Sequence, residues 1–140
     1  MKRLSYDLVV ALYRRGIHRG VLEDRGKLEA AIAAPFSGFG DVEFFPTLDE
    51  KAARLTFGIC QAHAYSDGNK GLAWLCCDLF YKINGWALEA DQDDAADVIL
   101  DVARGARGYE GLLAWLIGCD RRPYADRLAD PPDPWPDVPF

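Results

Sequence analysis

Apolar side chains recur at helical spacing along most of the chain. Between Ser5 and Arg15 they fall at Leu8, Val9, Leu12 and Tyr13, with Ser5 placed to cap the first turn and Gly16 to end the helix. A polar connection through His18 and Gly20 leads to Asp24, which can cap a short helix over Leu28, Ala31 and Ile32 that Pro35 stops. Residues 36–46, Phe-Ser-Gly-Phe-Gly-Asp-Val-Glu-Phe-Phe-Pro, mix glycine with aromatics and have no helical period, so they predict a loop or small hairpin. Thr47-Leu48-Asp49-Glu50 then has the capping-box form and opens a helix through Ala52, Leu55, Ile59 and Ala62 to about His63.

After an interruption at residues 65–68, Leu72, Leu75, Leu79 and Ile83 resume the pattern, and Asn84-Gly85 supplies a left-handed terminator. This is the most apolar helix of the chain, and its composition predicts a central position. Residues 86–89 can be a short extended segment. Asp91 to Asp94 put negative charge at the start of a helix carrying Ala95, Val98, Ile99 and Val102, which Gly105 and Gly108 break. A last helix runs from about Tyr109 to Gly118. The sum is an all-α bundle of about six helices with one small flap loop or hairpin. It forms one domain over residues 1–122, followed by a Pro-rich acidic tail over 123–140 that is extended or disordered. Trp74, Trp86 and Trp115 are expected in the core, and Trp135 of the tail is free to dock on the domain or on a partner.

Composition narrows the function. The chain has 140 residues, 50% of them apolar, enough for a single core. No apolar run is long enough to span a membrane, and no signal peptide is evident, so a cytoplasmic protein is expected. Sixteen Lys and Arg against 22 Asp and Glu leave a net charge of −6, the wrong sign for binding nucleic acid. Cys60, Cys76, Cys77 and Cys119 form no Cys-x-x-Cys pair, so zinc and a disulfide framework are not signalled and small core residues are expected.

One stretch is polar where core would be expected: His63-Ala64-Tyr65-Ser66-Asp67-Gly68-Asn69-Lys70-Gly71. A loop that feeds into a helix N-terminus offers unpaired N–H groups and the positive end of the helix dipole to phosphate oxygens. Gly68 lets the backbone approach a ligand, and Asn69 and Lys70 add donors. His63 can accept a proton near neutral pH, Asp67 can hold Mg²⁺ together with phosphate oxygens, and Lys70 can neutralise phosphate charge. Such a set suits phosphoryl or nucleotidyl transfer. His18 has no such neighbours and reads as a surface residue.

The pattern His-x-(Phe/Tyr)-x-Asp-Gly-Asn-Lys followed by an apolar helix resembles the signature of the Fic/Doc superfamily, most closely its Doc branch of toxins from toxin–antitoxin pairs. The likeness extends to Leu28-Glu29-Ala30-Ala31-Ile32, Phe45-Pro46-Thr47-Leu48, Lys51-Ala52-Ala53 and Lys82-Ile83-Asn84-Gly85-Trp86, and covers about residues 4–118. It implies His63 as the base that activates a target hydroxyl, Asp67 as the Mg²⁺ ligand on ATP, and Gly68, Asn69, Lys70 and Gly71 at the nucleotide phosphates. Tyr65 would pack inward to fix the loop. Phe39, Gly40, Val42 and Phe44 would belong to a flap that aligns the target by backbone pairing. Lys at position 70 resembles Doc, which transfers the γ-phosphate to a threonine of elongation factor Tu; Gly there commonly goes with AMP transfer in the family.

The family motif ends in Arg, and Gly71 stands in its place. Losing a charge-assisted phosphate contact costs about 2–4 kcal/mol of transition-state stabilisation, roughly 30- to 1000-fold in rate. Arg104 and Arg107 are candidates to fill the gap. The family's inhibitory (Ser/Thr)-x-x-x-Glu-(Gly/Asn) motif is missing, which implies an antitoxin in trans or a restraint no longer needed. Three functions therefore stand: a Doc-like kinase of a protein Ser/Thr, an AMP transferase acting on a protein or small-molecule hydroxyl, and an impaired fold that binds nucleotide or antitoxin without turnover.

Overall fold

The first helices begin where a side-chain oxygen can satisfy a bare amide. Ser5 accepts from the Leu8 N–H and opens α1 (Tyr6–Leu12), Asp24 accepts from Lys27 and opens α2 (Arg25–Ala33), and Thr47 accepts from Glu50 and opens α3 (Leu48–Ala62). These are the caps the sequence predicts. In the capping box the Thr47 hydroxyl also donates to Glu50 Oε1 at 2.9 Å. The computed structural model describes residues 1–125. The expectations for the tail and for Trp135 fall on residues 126–140, outside the described residues.

The end of the first helix differs from expectation. Gly16 does not stop it; the chain widens into a π-helical turn at Tyr13–Ile17 and leaves through His18 in a left-handed conformation with φ 55°. The reason is a close approach: a Cβ at Gly16 would lie 2.7 Å from Leu75 Cδ1, so the bare glycine lets this turn rest on the helix opposite. After α2, a 3₁₀ turn at Ala34–Phe36 leads into a hairpin of β1 (Gly38–Phe39) and β2 (Val42–Glu43), paired antiparallel.

α3 and α4 (Asn69–Ile83) form the antiparallel centre. The turn at residues 63–68 joins them at one end, and at the other the Tyr81 hydroxyl donates to Asp49 Oδ1 at 2.6 Å. α4 buries Leu72, Ala73, Trp74, Leu75, Cys76, Cys77, Phe80 and Tyr81, which is nearly every face of a central helix. Each of the large apolar groups contributes about 1.5–3 kcal/mol by leaving water. β3 (Trp86–Leu88), α5 (Gln92–Ala103), α6 (Tyr109–Gly118) and β4 (Arg121–Pro123) complete the fold, β4 returning antiparallel to β3. The described residues form the predicted all-α bundle of six helices with two short strand pairs.

Trp86 corrects one expectation. It is 38% exposed rather than core, because β3 pairs only with β4 and lies at the surface, whereas Trp74 is 2% exposed and packs at a tilt on Trp115. Cys60, Cys76 and Cys77 are buried free thiols and Cys119 is half-buried, as small apolar residues. No helix among the described residues is long and apolar enough to cross a membrane.

Candidate active site

α3 ends at Ala62, and His63 caps it in the left-handed region with φ 46°. A residue with a Cβ rarely adopts that conformation, at a cost of about 1 kcal/mol, and here it turns the chain so that His63 is exposed while Ala64 and Tyr65 point inward. The Tyr65 ring stacks on Tyr13 with centroids 3.6 Å apart, and burial raises its phenol above the ordinary value. The loop backbone is then pinned from two sides. Ala64 O accepts from the N–H groups of Glu23 and Asp24 at 2.8 and 3.0 Å. Ser66 donates its N–H to Val21 O at 2.9 Å, and its Oγ accepts the Val21 N–H at 2.9 Å. The Tyr13 hydroxyl donates to Asp67 O at 2.8 Å. Asn69 clamps Tyr65, accepting from its N–H at 3.1 Å and donating to its carbonyl at 2.8 Å.

Gly68 opens α4 with φ 83°, and a Cβ there would clash with Ile17 Cγ2, so both conformation and space require glycine. No side chain caps the helix. The N–H groups of Asn69, Lys70 and Gly71 have no partner among the described residues; the first helical bond is Leu72 N–H to Gly68 O at 3.0 Å. Beside these bare amides stands Asp67, whose Oδ1 accepts the Gly68 N–H at 2.7 Å and whose Oδ2 carries no bond among the described residues. The Asp67 side chain therefore shapes the turn rather than capping the helix. Lys70 is exposed, and its charge opposes the burial that pushes the Cys60 thiol up to about 12.

Chemically, the mouth offers an accessible imidazole, one carboxylate with an open oxygen, three amide donors at the positive end of a helix, and a cation. One carboxylate beside an anion hole fits Mg²⁺, which takes one or two protein carboxylates and fills its shell from phosphates and water. The described residues hold no group of three or more His, Cys, Asp or Glu that would cage a metal by itself.

The Fic/DOC family profile matches residues 3–81. The chain belongs to the Fic/Doc family. It is 37% identical over 99 residues to "Toxin Doc" of Mycolicibacterium smegmatis (strain ATCC 700084 / mc(2)155), an alignment covering 69% of this chain and 76% of that protein. His63, Asp67, Gly68, Asn69, Lys70 and Gly71 share one loop and helix start. Asn69 contributes to the mouth through its backbone N–H, its side chain being engaged with Tyr65. Gly71 is buried in the first turn of α4 and brings no charge.

The hairpin is rooted elsewhere. Phe39, Val42 and Phe44 are 82%, 64% and 57% exposed, and Gly40 makes the tight turn. Its base is held at the start of α3 by buried Lys51, whose Nζ donates to Phe45 O and meets Glu43 Oε1 at 3.1 Å. Lys51 lies in the first turn of α3, about 18 Å of helix from His63. No hydrogen bond or ring contact joins hairpin and loop among the described residues. Arg104 and Arg107 turn onto Asp101 in the last turn of α5, at 2.6 and 3.7 Å.

Three contributions escaped the sequence: Lys51, the stacked Tyr13, and residues 20–24, which pair with 64–66 through an isolated bridge between Leu22 and Tyr65. Gly16 and Gly20 were the available signal. A Cβ at Gly20 would clash with Ser66 Oγ and sit 3.0 Å from Asp67 N, so both glycines mark where the first segment touches the second.

Proposed function

We propose that this protein is a Doc-like toxin kinase that acts in the cytoplasm, uses ATP with Mg²⁺ and phosphorylates a Ser or Thr hydroxyl of a protein. The Doc-like signature, with Lys70 in the loop, implies elongation factor Tu as the acceptor and an antitoxin in trans as the restraint. What supports this is that exposed His63, Asp67 with an open oxygen and the three unpaired amides of α4 belong to one loop and helix start.

In the proposed reaction His63 takes the proton of the target hydroxyl as its oxygen bonds to the γ-phosphorus. The bond from that phosphorus to the bridging oxygen breaks, and ADP leaves. The amides of Asn69, Lys70 and Gly71 and the Lys70 ammonium hold the charge that grows on the phosphate oxygens. Asp67 would hold Mg²⁺, which supplies charge neutralisation on the phosphates. The pinned loop keeps these groups in place before substrate arrives.

The test incubates the protein with elongation factor Tu, Mg²⁺ and ATP labelled in either the α- or the γ-phosphate, in parallel with His63→Asn, which tolerates the left-handed backbone but is no base. Label from the γ position alone, reduced at least about 100-fold in the variant, is expected. Label from the α position would assign AMP transfer, which Lys70 argues against. Absence of any His63-dependent label would leave a binding fold without turnover.

A further inference from the structure

The turn after α1 carries four basic groups that the fold does not use. Arg14, Arg15, His18 and Arg19 are exposed, and their side chains make no ion pair, hydrogen bond or ring contact among the described residues. Carboxylates outnumber Lys and Arg by 22 to 16 in this chain, yet none among the described residues pairs with this turn. Adjacent cations left unpaired in an acidic protein repel one another until an anion arrives.

The turn also lies against the candidate phosphate mouth. Ile17 packs where Gly68 lacks a side chain, the Tyr13 hydroxyl holds Asp67 O, and Gly20 comes up to Ser66 and the Asp67 amide. His18 and Arg19 are thus bracketed by two residues in contact with residues 66–68. The π-helical turn and the left-handed His18 interrupt the regular helix at this contact, as such distortions commonly do at functional sites. Lys70, exposed in the first turn of α4, is the cation that the loop and helix start themselves bring. A magnesium-bound triphosphate keeps more negative charge than one ammonium matches.

We propose that this basic turn, with Arg19 foremost, is a wall of the phosphate site and binds the terminal phosphates of the nucleotide together with Lys70. This rests on the nucleotide-dependent transfer proposed above and adds the residues that take up the phosphate charge. Arginine suits the task because its fork meets two phosphate oxygens at once.

Calorimetric titration of ATP with Mg²⁺, and of adenosine, into the full chain tests it, using Arg19→Gln, Arg19→Lys and the triple change of Arg14, Arg15 and Arg19 to Gln. The Kd for ATP should rise about tenfold in Arg19→Gln and further in the triple variant, with adenosine binding and melting temperature unchanged and part of the loss recovered in Arg19→Lys. The salt dependence of ATP binding should flatten in step. An ATP Kd within twofold of the parent in the triple variant, or an equal loss of adenosine binding, overturns the assignment. If His63-dependent labelling persists beside that unchanged Kd, the basic turn fails and the transferase stands; if the parent binds no ATP and transfers no label, both fall.

Discussion

The two ends of α3 are built on opposite plans. At the His63 end a short loop is fixed by hydrogen bonds from Asn69, Ser66, Tyr13 and the residues after Gly20, with two tyrosines stacked beneath it. At the Leu48 end a two-pair hairpin carries three exposed apolar side chains and is rooted mainly through one buried amine, Lys51. Chemistry that depends on positioning sits on the rigid end. The lightly tethered end, with apolar groups in water, has the character of a surface that adapts to a partner. Under the proposed function, the rigid end would hold the reactive geometry and the hairpin end would meet the protein acceptor.

Breaking the rigid end should have the largest effect. His63→Asn is expected to reduce transfer at least about 100-fold while leaving the melting temperature unchanged, since the imidazole makes no bond among the described residues. Asn69→Ala removes both clamps on Tyr65 and leaves a buried amide unpaired, so stability should fall by about 1–3 kcal/mol in urea unfolding, with activity falling in parallel. At the other end Lys51→Met keeps the packing volume but strands Phe45 O, for an expected loss of about 1–2 kcal/mol. Hydrogen exchange should show faster opening at residues 38–45 with the 63–70 loop unchanged. Phe39→Ala should leave stability within about 0.5 kcal/mol and raise the KM for the protein acceptor without altering ATP affinity. Protection of the loop lost in Lys51→Met would show that the two ends are coupled.

The smallest effect concerns pH. Burial pushes the Cys60 and Cys77 thiols from near 9 up to about 12, so the unfolded chain ionises first as pH rises. Their contribution is complete below pH 9 and is lost between 9 and 12. Replacing both by Ala should flatten the alkaline limb of a stability profile.

Local signals made most of this legible. Ser5, Asp24 and Thr47 announced their helices because a cap is a contact within three residues, and the central place of α4 followed from an apolar run too wide for one face. The candidate site was equally local, since His63 to Gly71 occupy one turn and one helix start. What stayed hidden depends on segments that meet only in the fold. The lean of the first turn on Leu75, the bridge from Leu22 to Tyr65 and the Lys51 anchor are contacts between distant residues with no periodic trace. Trp86 was misjudged for the same reason: residue type says how much surface would gain from burial, and only the partner strand decides whether it is covered.

The claim beneath all of this is that phosphate sits on the first turn of α4. Amide chemical shifts recorded while ATP and Mg²⁺ are added to the isotope-labelled protein address it directly. The account predicts that the N–H signals of Asn69, Lys70 and Gly71 move together and saturate, and that adenosine leaves them in place. Saturable shifts confined to other parts of the molecule, with those three amides unmoved, would contradict it.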